Sequence, residues 1–165
     1  MNRNMKEQKN KGTMGFTLVE LMLVIAISAI LLGIVIVAIN PARQFSQANN
    51  SQRRTDINTI LNAINQYQDD NRGSLPAFIP STSTQQIGDS TGNCVITTCG
   101  ATTTTAVCLN LSSALAPTYI VSMPYDPLQT NASSTRYAIT KSATNNRLTI
   151  TACDAELSES ISVAR

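Results

Sequence analysis

The sequence predicts an α+β protein in which one long N-terminal helix packs, by its second half, on a small antiparallel sheet. Three observations predict it. Residues 16–39 form an almost uninterrupted apolar run, residues 40–72 carry apolar side chains at helical spacing, and the region after Pro117 alternates apolar and polar residues at strand spacing. A chain of 165 residues holds one modest domain plus one extra element.

Residues 1–15 are polar and basic. Arg3, Lys6, Lys9 and Lys11 against Glu7 leave +3 in the first 14 residues, whereas residues 16–165 carry 8 basic and 9 acidic side chains. A basic leader on a nearly neutral body is a targeting pattern, and no nucleic-acid partner is expected from it. The next stretch, 16–40, is read as a membrane-spanning helix: its 24 apolar-run residues reach about 36 Å, enough to cross a hydrocarbon core of about 30 Å with some tilt.

Residues 41–73 are polar but periodic. Phe45, Ala48, Ile57, Ile60, Leu61, Ile64 and Tyr67 give one apolar stripe, so this part is expected to continue the helix in amphipathic form. Pro41 is expected to kink the helix or divide it, and Gly73 to stop it. Residues 74–165 are the globular candidate. Pro76 and Pro80 open it, and 81–105 hold 12 Ser or Thr with Asp89 as the only charge, which predicts loops with little core. Strands follow at Tyr137–Thr140 and Leu148–Thr151, joined by a turn at Asn145-Asn146, with a last short strand around Ile161 and Val163.

The residue inventory excludes much chemistry. The chain has no His, which removes His-based triads, imidazole metal sites and His proton shuttles. Without a nucleophile–base pair or a phosphate loop, no enzyme, cofactor or metal centre is expected. Cys94, Cys99, Cys108 and Cys153 lack the paired spacing of a zinc site, and two disulfides in an oxidising compartment are expected, with all three connectivities open. Asp126, between Pro124 and Pro127, reads as part of a rigid turn; a single carboxylate makes no calcium site. Asp69-Asp70 and the group Asp154, Glu156 and Glu159 read as solvated faces, and Arg53-Arg54 as facing solvent or lipid headgroups.

The N-terminal segment fits no ordinary export signal. Its apolar core exceeds the roughly 7–15 residues of a secretory signal, and no small-residue cleavage site follows. A lipoprotein signal needs a Cys after the core, and none occurs before Cys94. A plain anchor leaves Glu20 unexplained. The run Gly15-Phe16-Thr17-Leu18-Val19-Glu20-Leu21 resembles the cleavage motif of type IV prepilins and pseudopilins: a short basic leader, Gly, an aromatic residue, then Glu at the fifth place of an apolar helix.

What that resemblance implies is a ladle-shaped pilin fold and a series of processing steps. A prepilin peptidase would cut between Gly15 and Phe16 and methylate the new Phe16 amine. A cytoplasmic ATPase and a membrane platform protein would then move the product from the membrane lipid into a helical filament of its own copies and minor pilins. The precursor is expected in the cytoplasmic membrane with its N-terminus inside, in line with the positive-inside rule. The filament would lie at the cell surface or in the extracytoplasmic space. Glu20 is expected to serve assembly by pairing with a Phe16 amine. A structural subunit of a type IV pilus is the first reading. A pseudopilin of a type II secretion or DNA-uptake system is the alternative.

Overall fold

The computed structural model describes residues 15–76, 79–80, 83–89, 94, 98–100 and 102–165; the basic leader, 1–14, lies outside the described residues. The chain divides into two units, Met1–Pro41 and Ala42–Arg165.

The first unit holds helix α1, Leu18–Ala38. Thr17 caps it in extended conformation (φ −79°, ψ 151°), and its last turn closes with Ile39 N–H donating to Val35 O at 3.1 Å. A second helix, α2, spans Pro41–Asp70. Pro41 therefore stands at a first helical position, where its missing N–H costs no intrahelical bond. The proline divides the helical stretch into two. At the other end α2 stops as expected: Arg72 (φ 55°) and Gly73 (φ 82°) turn left-handed, and Gly73 N–H donates to Gln68 O at 2.8 Å.

The second unit is α+β. Among the described residues its strands are β1 (Thr84–Ile87), β2 (Thr98–Cys99), β3 (Thr102–Leu109), β4 (Tyr137–Lys141), β5 (Leu148–Ala152) and β6 (Ile161–Ala164), in the order β2-β3-β1-β4-β5-β6, with the short helix α3 at Ser112–Leu115. The hairpin β4–β5 and the edge strand β6 lie where alternation placed them, with Ile139 opposite Ile150 and Ile150 opposite Val163. These strands pair antiparallel as expected, but the sheet extends beyond them, and β1 pairs with β3 in parallel, so the whole sheet is mixed and not purely antiparallel. The Ser/Thr-rich stretch is corrected too, because it supplies β1, β2 and the start of β3. Thr suits a pleated, half-buried surface without being strongly apolar, so a hydropathy pattern misses such strands.

One sheet face packs on α2. Ile57, Ile60, Leu61 and Ile64 meet Ile87, Tyr137, Ile139, Leu148 and Ile150 in one core, joined by Leu111, Leu115 and Met123. The expected stripe begins too early, however. Phe45 is 71% exposed and Ala48 is exposed. Asn50, Arg53 and Asp56 are the buried residues of this part of the helix. The other sheet face is polar yet covered: Thr84 and Gln86 are buried, and the Thr84 and Thr140 hydroxyls share a hydrogen bond of 2.8 Å. Gly88, at the end of β1, sits where an added Cβ would lie 2.4 Å from Ser133 O.

Candidate functional site

Helix α1 is apolar on every side, and none of its residues is buried within the chain. Such a surface needs lipid or other helices around it. Ala26, Ala29 and Gly33 fall at spacings of three and four on one side, and an added Cβ at Gly33 would meet nothing within 4 Å. The chain's own fold therefore makes no use of that smallness.

At the start of α1 the local sequence builds a reciprocal cap. Glu20 N–H donates to Thr17 Oγ1 at 3.2 Å, while Thr17 N–H and Thr17 Oγ1–H both donate to Glu20 Oε2 at 2.9 Å. Two backbone donors that have no intrahelical partner are thereby satisfied. The one charge of the apolar run is thus held at the helix entrance by its own chain. Phe16 is 88% exposed, and a Cβ on Gly15 would meet nothing within 4 Å. Neither residue is required by the fold around it.

The disulfides lie in the second unit. Cys94 bonds Cys108, with Cα atoms 5.1 Å apart, and Cys99 bonds Cys153, with Cα atoms 4.4 Å apart. In a flat sheet β2 and β5 would be four strand spacings apart, about 19 Å. The Cys99–Cys153 bond therefore requires the β2 end to roll back over the polar face, which explains why Thr84 and Gln86 are buried. By loop closure each bridge adds roughly 2–4 kcal/mol.

A second constellation departs from its sequence reading. Arg53 is not solvent-facing: its side chain is fully buried, as is that of Asp126. Arg53 forks Asp126 with Nε–Oδ2 at 2.6 Å and Nη2–Oδ1 at 3.1 Å, and its Nη1 reaches Glu156 Oε2 at 2.8 Å and Asn50 Oδ1 at 2.9 Å. Ser46 and Asn49 donate to the Glu156 carboxylate, and the Asn50 amide makes paired bonds with the Glu156 backbone. Burial alone would lower the Arg53 pKa, but the hydrogen bonds to Asp126 and Glu156 outweigh it and the net shift is upward. The same Arg53 bond, with help from Asn49, holds Glu156 below the usual carboxylate range.

Other charges taken as solvated are paired as well. Arg136 forks Asp154 and Arg54 bonds Glu159. Tyr137 O–H donates to Asp56 Oδ2 at 2.6 Å, and burial, then this bond, raises the phenol pKa. The turn at Asp126 is real: Leu128 N–H donates to its Oδ1 at 2.9 Å and Gln129 N–H to its carbonyl at 2.8 Å. The buried ion pair adds to that turn. A signal for it existed in the sequence, because Arg53 precedes Ile57, Ile60 and Ile64 at the spacing of the buried stripe.

Residues 15–36 match the family model described as the prokaryotic N-terminal methylation motif, which is the class III signal peptide of type IV pilins and pseudopilins. No curated protein and no solved structure matches the chain. The motif supports a type IV pilin-like or pseudopilin precursor of a structural-subunit class, not an enzyme class. It implies processing by prepilin peptidase, and together with α1 it is consistent with membrane anchoring before assembly.

Proposed function

From a precursor carrying the class III signal, we propose that the chain is a structural subunit of a type IV pilus-like filament. It is cut between Gly15 and Phe16, methylated on Phe16, and assembled through α1 with the Ala42–Arg165 unit displayed. The observation that carries this reading is a helix with no residue buried in its own chain that begins within the methylation motif. Lipid covers that helix before assembly and neighbouring copies cover it afterwards, so transfer need not expose it to water. A cytoplasmic ATPase and a membrane platform protein drive the transfer, and minor pilins share the filament.

Mass spectrometry of fibres sheared from cells producing the chain tests this directly. The expected species is the chain beginning with methylated Phe16. Fibres that lack the chain would contradict a pilus subunit, and a processed chain confined to the cell envelope would favour the pseudopilin reading.

Glu20 has a distinct part in the proposal. Cleavage creates an amine at Phe16, and a charge buried among apolar helices needs a partner. Thr17 holds the Glu20 carboxylate at the helix entrance, where the amine of an incoming copy can reach it. Glu20→Gln keeps the side-chain acceptor of the cap and removes the charge. That variant is expected to insert and be cleaved normally, yet to yield few filaments, scored by the ratio of sheared to membrane-held protein. A normal ratio would leave Glu20 with the capping role alone.

A further inference from the structure

The Ala42–Arg165 unit carries eight basic and eight acidic side chains, but they are not evenly mixed. Near the C-terminal end of α2 one flank of the helix opens on two adjoining hollows of about 420 and 410 Å³ that share Gln68 and Asn146. Lys141, Arg147 and Arg165 line them, and no acidic side chain does so among the described residues. None of the three cations has a carboxylate within ion-pair distance among those residues. The framework is fixed: Leu148 and Arg165 exchange backbone hydrogen bonds of 2.8 and 2.9 Å, and Arg147 N–H donates to Asn145 Oδ1 at 3.1 Å. Asn65, which lines the same hollow, has a solvent-shielded Nδ2 that finds no acceptor among the described residues.

The other flank is acidic. Asp69 and Asp70 line a hollow with Gln66, Thr118 and Tyr119. Tyr119 is held there by edge-to-face packing on Tyr67 with ring centroids 5.7 Å apart. At 3.6 residues per turn, the direction of Asn65 and Gln68 is about 120° from that of Gln66, Asp69 and Asp70.

We propose that the acidic flank of one copy docks in the basic cleft of the next, so that Asp69 and Asp70 meet Lys141, Arg147 and Arg165 of a second copy. This rests on the filament reading above and adds the contact between the outer domains. A second copy is favoured over a one-signed polymer because the unit as a whole is neutral. A polyanion drawn to the cleft would be repelled by the acidic flank of the same unit, whereas another copy satisfies both flanks. The two surfaces differ and lie on different sides of one helix, so in a helical filament each copy can use its acidic flank towards one neighbour and its basic cleft towards the next. Being exposed, it weakens with salt.

Lys141 makes the test specific. The other lysines are Lys6, Lys9 and Lys11, so after a cut at Gly15 it is the one lysine of the chain. Carbodiimide treatment of filaments built from the full processed chain is expected to give a ladder of multimers on denaturing gels. Mass spectrometry should place the new amide between Lys141 and Asp69 or Asp70, with mixed isotopic labelling showing that it joins two copies. Lys141→Arg keeps the charge and removes the amine that carbodiimide coupling needs, so it should abolish the ladder. Reversing one side, with Asp69→Lys and Asp70→Lys, should lower filament yield about tenfold or more, as like charges are brought together. Adding Lys141→Glu and Arg147→Glu to that variant should restore it. Normal filaments without the Lys141 link, or normal yield after reversal, would overturn the contact and leave the filament reading intact. A chain that builds no filament would overturn both.

Discussion

Replacing Arg53 by Met is expected to lower the unfolding midpoint of the Ala42–Arg165 unit by roughly 10–20 °C. The substitution keeps much of the side chain's volume but leaves the carboxylate of Asp126 buried without its partner, and breaking a buried pair in this way costs about 3–5 kcal/mol. That is a large part of the roughly 5–15 kcal/mol by which a domain is stable. Arg54→Met is the internal control: its bond to Glu159 joins side chains 54% and 37% exposed, and such a pair is worth about 0–1 kcal/mol. Thermal unfolding of the processed chain in detergent, followed by near-ultraviolet dichroism, compares the two. Equal shifts for Arg53→Met and Arg54→Met would mean that the buried network does not hold the helix to the sheet. Arg53→Met with Asp126→Leu should regain much of the loss, since no unpaired charge then remains inside.

The same network sets an acid dependence. Glu156 is held below the ordinary carboxylate range, chiefly by the Arg53 bond. Its stabilising contribution is therefore present above that range and is lost as pH falls through the depressed folded value. Stability measured against pH should fall on the acid side more steeply for the unaltered chain than for Arg53→Met.

The second large effect concerns processing. Gly15→Val is expected to leave uncut precursor in the membrane, with the yield of chain beginning at Phe16 reduced by about 100-fold or more. A peptidase that cuts at the membrane edge must align the backbone on both sides of the scissile bond, and a branched side chain before the cut displaces it; misplacement of about 1 Å costs on that scale. The fold itself offers no competing explanation, because a Cβ at Gly15 meets nothing within 4 Å. Intact mass measurement of membrane-held protein gives the ratio of precursor to product. Normal recovery of product from Gly15→Val would count against recognition of the motif at residues 15–36.

What the sequence determined by itself was local. The extent of α1 follows from an unbroken apolar run, the α2 stop from Asn71-Arg72-Gly73, and the β4–β5 hairpin from apolar residues on alternate positions around Asn145-Asn146. In each case the forces act within a few residues: hydrogen bonds four apart, left-handed backbone at a helix end, side chains alternating across a pleat. The seven-residue motif at Gly15–Leu21 was legible for the same reason, since it works as a short contiguous segment.

The tertiary structure decided the rest. Which cysteines pair depends on the sheet rolling over its polar face, which brings Cys99 to Cys153 across a separation of 54 residues. Whether β1 lies parallel or antiparallel to β3 depends on the path of the chain between them. Arg53, Asp126 and Glu156 look like surface residues one at a time, because an isolated charge belongs in water. Arg53 and Asp126 are buried and Glu156 is half-buried because the fold brings a guanidinium and two carboxylates, 73 and 103 residues apart in the chain, into hydrogen-bonded contact. The cost of burying each charge is offset only by partners that local sequence does not supply.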